Sequence, residues 1–331
     1  MEPSTTALAQ WTPVALTVGE RGATIDWGDL RGTRFAEPFF HQTVERWAGN
    51  DPSPLVRTGF GALRALDGEP SLDPAALIFH VSRCGSTLLS RLLGCIPGVL
   101  VISEPAPLNA LLLADPGSLD GETEAQALRL LVRALGRRRF GDERHYVLKL
   151  SSWNVTRLAL FRRAFPEAAL VWLTRTPHEV VASVLADPPG WLALRHDPAA
   201  ARATLGIEDP APDAETFAVE ALAAMLGAAS GIAGKALFLD YADLPRAVWD
   251  RVAPFSGIDI GAADVARMRE LARYRAKEAA LRPFTAAAAG ARTLAPAILA
   301  LIDQKVGAAS RPAGGAATSG RARDLIAPVP L

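Results

Sequence analysis

The hydrophobic positions of the chain switch period repeatedly. ALIFHV (76–81) is a continuous apolar run, as a strand buried on both faces requires. It breaks into a small, polar, basic loop and then into STLLSRLLG, where Leu88, Leu89, Leu92 and Leu93 recur at helical spacing and Gly94 marks a stop. The alternation continues with VLVIS (99–103) as a strand, GETEAQALRLLVRAL (121–135) as an amphipathic helix, HYVLKL (145–150) as a strand and NVTRLALFRRAF (154–165) as a helix. ALVWLT (169–174), a helix over HEVVASVL (178–185), a further helix over 215–229 and the strand ALFLD (236–240) complete it. This pattern predicts an α/β fold with a doubly wound, mostly parallel sheet. Ligands in such sheets sit outside the carboxyl ends of the strands, so the residues to inspect are Ser82–Thr87, Glu104, Lys149–Ser152, Arg175 and Tyr241–Asp243.

Flanking segments read differently. Residues 1–74 mix short strand-like pieces (PVALTV, ATIDW) with a helix near Phe39–Trp47 and form a small N-terminal extension packed on the main domain, which spans 75–290. GEPSLDP (68–74) is a turn-rich joint. Residues 291–331 form a C-terminal helix and a flexible tail rich in Gly, Ala and Ser. The segment 187–213, rich in Pro, Asp and Ala and containing Trp191, reads as a lid or a surface excursion.

Charge and composition narrow the function classes. The 331 residues carry 35 Lys and Arg against 35 Asp and Glu, a balance that argues against a nucleic-acid polyelectrolyte binder. Cys84 and Cys95 make no disulfide framework, so a reducing, cytoplasmic setting is expected. The N-terminus lacks the pattern of a signal peptide, and no apolar run reaches about 18 residues, so no membrane insertion is expected. Oligomeric state is not legible.

The loop after the first strand of the main domain carries the strongest chemical signal. Ser82, Arg83, Cys84, Gly85, Ser86 and Thr87 lie where a helix N-terminus offers unpaired N–H groups and a positive dipole end. Gly85 permits close backbone approach, Ser86 and Thr87 add hydroxyls, and Arg83 adds a directed cation. These residues suit a phosphate or a sulfate ester; they also suit a plain strand-to-helix turn with a hydroxyl cap. A nucleoside triphosphatase loop would place lysine after the glycine, and Ser86 stands there instead.

SRCGSTLL resembles the 5′-phosphosulfate loop of the sulfotransferase superfamily, whose donor is 3′-phosphoadenosine 5′-phosphosulfate (PAPS). RTPHEVVAS, with Arg175 and Ser183 eight residues apart, is similar to the superfamily's 3′-phosphate motif. Together with HVSRCGSTLL and the leader TIDWGDLRGTRFAEPFFHQTVERW, these motifs make the chain look like a bacterial sulfotransferase-family protein over roughly 25–290. The resemblance implies that Arg83, Cys84, Gly85, Ser86 and Thr87 hold the 5′ end of PAPS, with Arg83 replacing the absent lysine, and that Arg175 and Ser183 grip the 3′-phosphate. It also implies Lys149 near the leaving oxygen and Lys277 reaching the nucleotide.

Sulfonyl transfer needs a base, cations at the bridging oxygen and in-line placement, with no metal. Many superfamily members use a histidine after the third strand, but KLSSWN has none, which leaves Glu104 in SEP as the candidate base. Glu104 would equally suit the start of the following helix. His80 and His145 read as core or edge residues, and Trp153 and Trp191 as core or acceptor-pocket walls. The expected function is transfer of a sulfonate from PAPS to an unidentified hydroxyl or amine acceptor. The alternatives are a non-catalytic PAPS-binding protein or an ATP-dependent small-molecule kinase on the same fold.

Overall fold

Five apolar runs become the strands of one sheet. β4 (Pro74–His80), β5 (Val99–Ser103), β6 (His145–Lys149), β7 (Ala169–Thr174) and β8 (Ala236–Asp240) follow β1 (Thr12–Gly19), β2 (Gly22–Gly28) and β3 (Val56–Gly59). The computed structural model describes residues 8–19, 22–50, 54–119, 121–232, 236–274, 276 and 293–309. The main sheet has the order β5-β6-β4-β7-β8 and every pairing in it is parallel. The helices around it are α1 (Phe40–Asn50), α2 (Gly61–Ala65), α3 (Ser86–Gly94), α4 (Ala106–Leu112), α5 (Glu124–Leu135), α6 (Leu158–Ala164), α7 (Pro177–Ala186), α8 (Pro198–Leu205), α9 (Ala214–Ala229), α10 (Ala262–Leu271) and α11 (Pro296–Ala309). This is the α/β architecture that the period of the sequence predicts.

The central strand explains the unbroken apolar run. Leu77, Ile78 and Phe79 of β4 are fully buried, as are Tyr146, Val147 and Leu148 of β6. With both faces covered there is no polar face to alternate. Phe79 meets Phe161 of α6 edge-to-face at 5.4 Å.

Order in the sheet fixes where a ligand can sit. β4 leads through α3 to β5 at one edge, β6 fills the gap beside β4, and the chain then crosses to β7 and β8 on the other side. The connections therefore part beside β4, and the crevice opens at the carboxyl ends of β4, β6 and β7.

Two predicted helix starts move for local reasons. The helix foreseen over 121–135 begins at Glu124, because Thr123 and Gln126 form a reciprocal capping box. The helix foreseen over 154–165 begins as a 3₁₀ segment, Ser152–Arg157, before α6. There Asn154 turns back: its Oδ1 accepts from the Ser151 N–H at 2.8 Å and its own N–H donates to the Ser151 carbonyl.

The N-terminal residues form an antiparallel sheet in the order β1-β2-β3. Ile25 and Trp27 alternate inward from β2 and are fully buried, and the Trp27 indole N–H donates to Thr58 Oγ1 at 2.8 Å. At the other end of the chain α11 packs Ile298, Ile302 and Val306 inward, and Lys305 pairs with Glu220 of α9 at 2.9 Å. Among the described residues no helix is long and apolar enough to cross a membrane.

Candidate active site

Three backbone conformations shape the crevice. Gly85, the cap residue of α3, sits at φ +86°, where an L side chain is strained; a Cβ there would come within 2.8 Å of the Tyr241 ring. Among the described residues only two that are not glycine have positive φ, Arg83 (+62°) and Glu104 (+53°), and both belong to this site. Such conformations cost about 1–3 kcal/mol each and persist only where the surroundings impose them.

The loop is held by side chains from distant elements. Arg83 Nε donates to Ser183 Oγ on α7 at 3.0 Å, and Arg83 Nη1 pairs with Asp187 at 2.5 Å. Arg175, just past β7, donates from Nη1 to the Arg83 carbonyl at 3.3 Å. It also pairs with Glu179 at 3.2 Å and stacks over Tyr241 with its guanidinium 4.5 Å from the ring centroid. The two predicted anion-binding segments thus meet in one hydrogen-bonded unit. Within it Ser183 bonds Arg83, not Arg175.

Beneath the loop the groups are shut in. The Cys84 thiol is fully buried and donates to the Val81 carbonyl; burial pushes its pKa up to about 12, so it stays a neutral thiol. Ser82 Oγ accepts from the Trp191 indole N–H at 2.7 Å and shares a hydrogen bond with Ser152 Oγ at 2.8 Å. Through Trp191 and Asp187 the 187–196 segment closes onto the loop.

Glu104 faces the same crevice. Its N–H donates to the Lys149 carbonyl at 2.8 Å, which extends the β5–β6 pairing by one residue. In the left-handed conformation its carboxylate meets the Lys149 ammonium in a direct ion pair. Lys149 is fully buried, while the Glu104 side chain keeps 28% of its exposure. Lys149 therefore lies beneath Glu104 and does not line the cavity, because the carboxylate stands between it and the opening. Burial, the largest influence on Glu104, would raise its pKa; the opposing charges, led by the Lys149 ammonium that it contacts, outweigh burial and hold it below the usual carboxylate value. Glu104 is therefore an ionised acceptor at neutral pH.

His80 ends β4 and is 4% exposed. Its Nδ1 lies 2.9 Å from the Val81 carbonyl oxygen, its Nε2 lies 2.9 Å from that of Leu150, and Glu104 Oε1 is 3.9 Å away. Burial first, then Lys149, pushes its pKa down to about 4, so the ring is neutral.

These groups surround a cavity of about 570 Å³. Ser82, Arg83, Ser86 and Thr87 form one side, His80 and Glu104 the floor. Phe39, Trp153, Trp191 and Leu194 supply an apolar wall, and Asn109 and Ser151 a polar one. The Asn154 amide donates to Asn109 Oδ1 and the Asn109 amide to Ser151 Oγ, which fixes that wall.

Lys277 and the remaining histidine candidates fall elsewhere. Lys277 lies outside the described residues. His145 starts β6, at the end of the strand away from the crevice. His178 stands 3.3 Å from Asp303, and His196 is exposed and away from the cavity. Sequence reasoning passed over Asp187 and Phe39 and took His80 for a core residue. His80 is buried and yet lines the cavity; its place as the last strand residue before the loop was the available signal.

A scan against protein-family models matches none, and a search of curated proteins finds no match. Among solved structures, the chain is similar to sulfotransferase STF9 from Mycobacterium avium, at 13% identity over 69% of this chain and 71% of that one, with a TM-score of 0.40. It is similar to a sulfotransferase from Alicyclobacillus acidocaldarius, at 14% identity over 72% of this chain and 100% of that one, with a TM-score of 0.38. A third is mouse sulfotransferase SULT7A1 complexed with PAP, at 12% identity over 63% of this chain and 67% of that one, with a TM-score of 0.34. Each of these three solved proteins is a sulfotransferase.

Proposed function

We propose that the chain is a PAPS-dependent sulfotransferase that uses the crevice above β4, β6 and β7. The observation that carries this reading is the unit centred on Arg83, in which Arg175 holds the loop carbonyl and Ser183 holds the loop guanidinium. It joins two guanidinium groups at the N-terminus of α3, Arg83 lining the cavity and Arg175 bonded to the Arg83 carbonyl, which suits a nucleotide charged at both its 3′ and 5′ ends.

In this reading the backbone of Cys84 and Gly85 and the hydroxyls of Ser86 and Thr87 receive the 5′-phosphosulfate. Arg83 leaves Asp187 and turns to the donor oxygens. Arg175 and Ser183 receive the 3′-phosphate, Arg175 giving up Glu179. Lys277 is a further nucleotide contact. The acceptor, a hydroxyl or amine, lies against Phe39, Trp153 and Trp191. Its oxygen or nitrogen attacks sulfur, Glu104 takes its proton, and the bond from sulfur to the bridging oxygen breaks. The 3′,5′-bisphosphate leaves with the electron pair, and Arg83 with the α3 N–H groups stabilises the charge on that oxygen. Lys149 acts through Glu104: it keeps the carboxylate ionised, and it can reach the leaving oxygen only if Glu104 moves aside.

Calorimetric titration with 3′-phosphoadenosine 5′-phosphate (PAP), adenosine 5′-phosphate and ATP with magnesium tests the reading. PAP should bind far more tightly than either of the others. Tighter binding of ATP with magnesium would point to a kinase instead. One observation favours a non-catalytic donor-binding protein as second reading: the ion pair with Lys149 lowers the basicity of Glu104. PAP binding without sulfonate transfer across a broad acceptor screen would support it.

A further inference from the structure

His80 has a contact that its resting form cannot satisfy. Both ring nitrogens lie 2.9 Å from carbonyl oxygens, those of Val81 and Leu150. A carbonyl oxygen only accepts, and a neutral imidazole carries a single N–H. Whichever tautomer forms, one nitrogen lone pair faces an oxygen lone pair. Only the imidazolium donates to both.

The surroundings hold the ring short of that state. Glu104 Oε1, 3.9 Å away at the end of β5, favours the charged ring. Burial and Lys149 at the end of β6 oppose it. From the start of α1, His41 acts on Glu104, and Arg83 lines the same cavity; Cys84 under the loop is a neutral thiol. Bound phosphate and sulfonate charge in the cavity that His80 lines shifts this balance towards the cation, because it adds negative potential that offsets Lys149.

Resting on the donor-binding reading above, we infer that His80 takes up one proton from solvent when the phosphosulfate donor binds, and so is a positioning residue that donates N–H bonds to both carbonyls and adds a positive charge beneath the loop. The proton adds to the ring nitrogen whose lone pair faces a carbonyl, and no other bond changes. Donor binding then strengthens as pH falls through the pKa of His80 in the complex, with log affinity rising by up to about one per pH unit.

PAP is titrated into the full chain near pH 6 in two buffers of different ionisation enthalpy, which gives the protons taken up per nucleotide. The same titration on His80→Asn subtracts proton release by the nucleotide's own phosphates. The expected difference approaches one proton. The unsubstituted protein, labelled with nitrogen-15 histidine, provides a reading that does not depend on the variant folding: among five histidines, one ring should gain a second N–H on addition of PAP. Equal proton counts in the two proteins, or histidine spectra unchanged by bound PAP, would overturn the inference and leave donor binding intact. Absence of PAP binding in every buffer would overturn donor binding and the inference with it.

Discussion

Glu104 concentrates the chemistry at the residue scale. Its left-handed backbone turns the carboxylate towards both the crevice and the buried ammonium of Lys149. Replacing it with Gln keeps the shape and removes the base. Turnover should fall by about 10²- to 10⁴-fold in a sulfonate-transfer assay, while PAP affinity by calorimetry stays nearly unchanged. Full turnover in Glu104→Gln would refute the base assignment. Lys149→Ala leaves the Glu104 charge in place with its partner gone; a melting experiment should show a loss of about 3 kcal/mol, the low end for a broken buried pair because Glu104 keeps some exposure. His80 sets a pH dependence of stability. Its pKa is near 4 in the folded chain and 6.5 when unfolded, so the unfolded state binds more protons between these values. Stability should therefore be full above about pH 6.5 and decline as pH falls towards 4, and thermal melts of His80→Asn should show a shallower decline over that window.

At the scale of elements, the 187–196 segment acts as a clasp on the loop. Asp187, 64% exposed, takes up Arg83, and Trp191 reaches Ser82. A carboxylate on the guanidinium competes with a donor oxyanion for the same group. Asp187→Ala should therefore tighten PAP binding by a few-fold in calorimetry, in line with about 0.2–1 kcal/mol for an exposed pair. Weaker PAP binding in that variant would mean that Asp187 orients Arg83 for the nucleotide. The inner strands β4, β6 and β7 were legible because burial on both faces leaves a short, continuous apolar run. β3 was not, since Val56–Gly59 is four residues long and alternates without an apolar core. The α6 start was missed because 154–165 reads as one helical stretch and only the fold shows Asn154 bonded back to Ser151.

At the scale of the whole molecule, residues far apart in the chain assemble one cavity. Phe39 comes from the N-terminal segment, Ser82–Thr87 follow β4, Glu104 follows β5, Ser151 and Ser152 follow β6, and Trp191 comes from the segment after α7. The rule that ligands sit at strand carboxyl ends made most of these positions legible, since Glu104 is the first residue past β5, Ser82 opens the loop after β4 and Ser151 and Ser152 open the one after β6. The pairings were not legible. Local periodicity reports which positions are buried, and nothing in it tells that Asp187 closes on Arg83, or that Glu104 covers Lys149.

The central claim is that Arg175 serves the 3′-phosphate of a doubly charged nucleotide. A double cycle tests it: PAP and adenosine 5′-phosphate, each titrated calorimetrically into the native chain and into Arg175→Ala. The substitution should weaken PAP by about 10- to 150-fold, the worth of a charge-assisted contact of about 1.5–3 kcal/mol, and hardly alter adenosine 5′-phosphate. An equal loss for both nucleotides would contradict it.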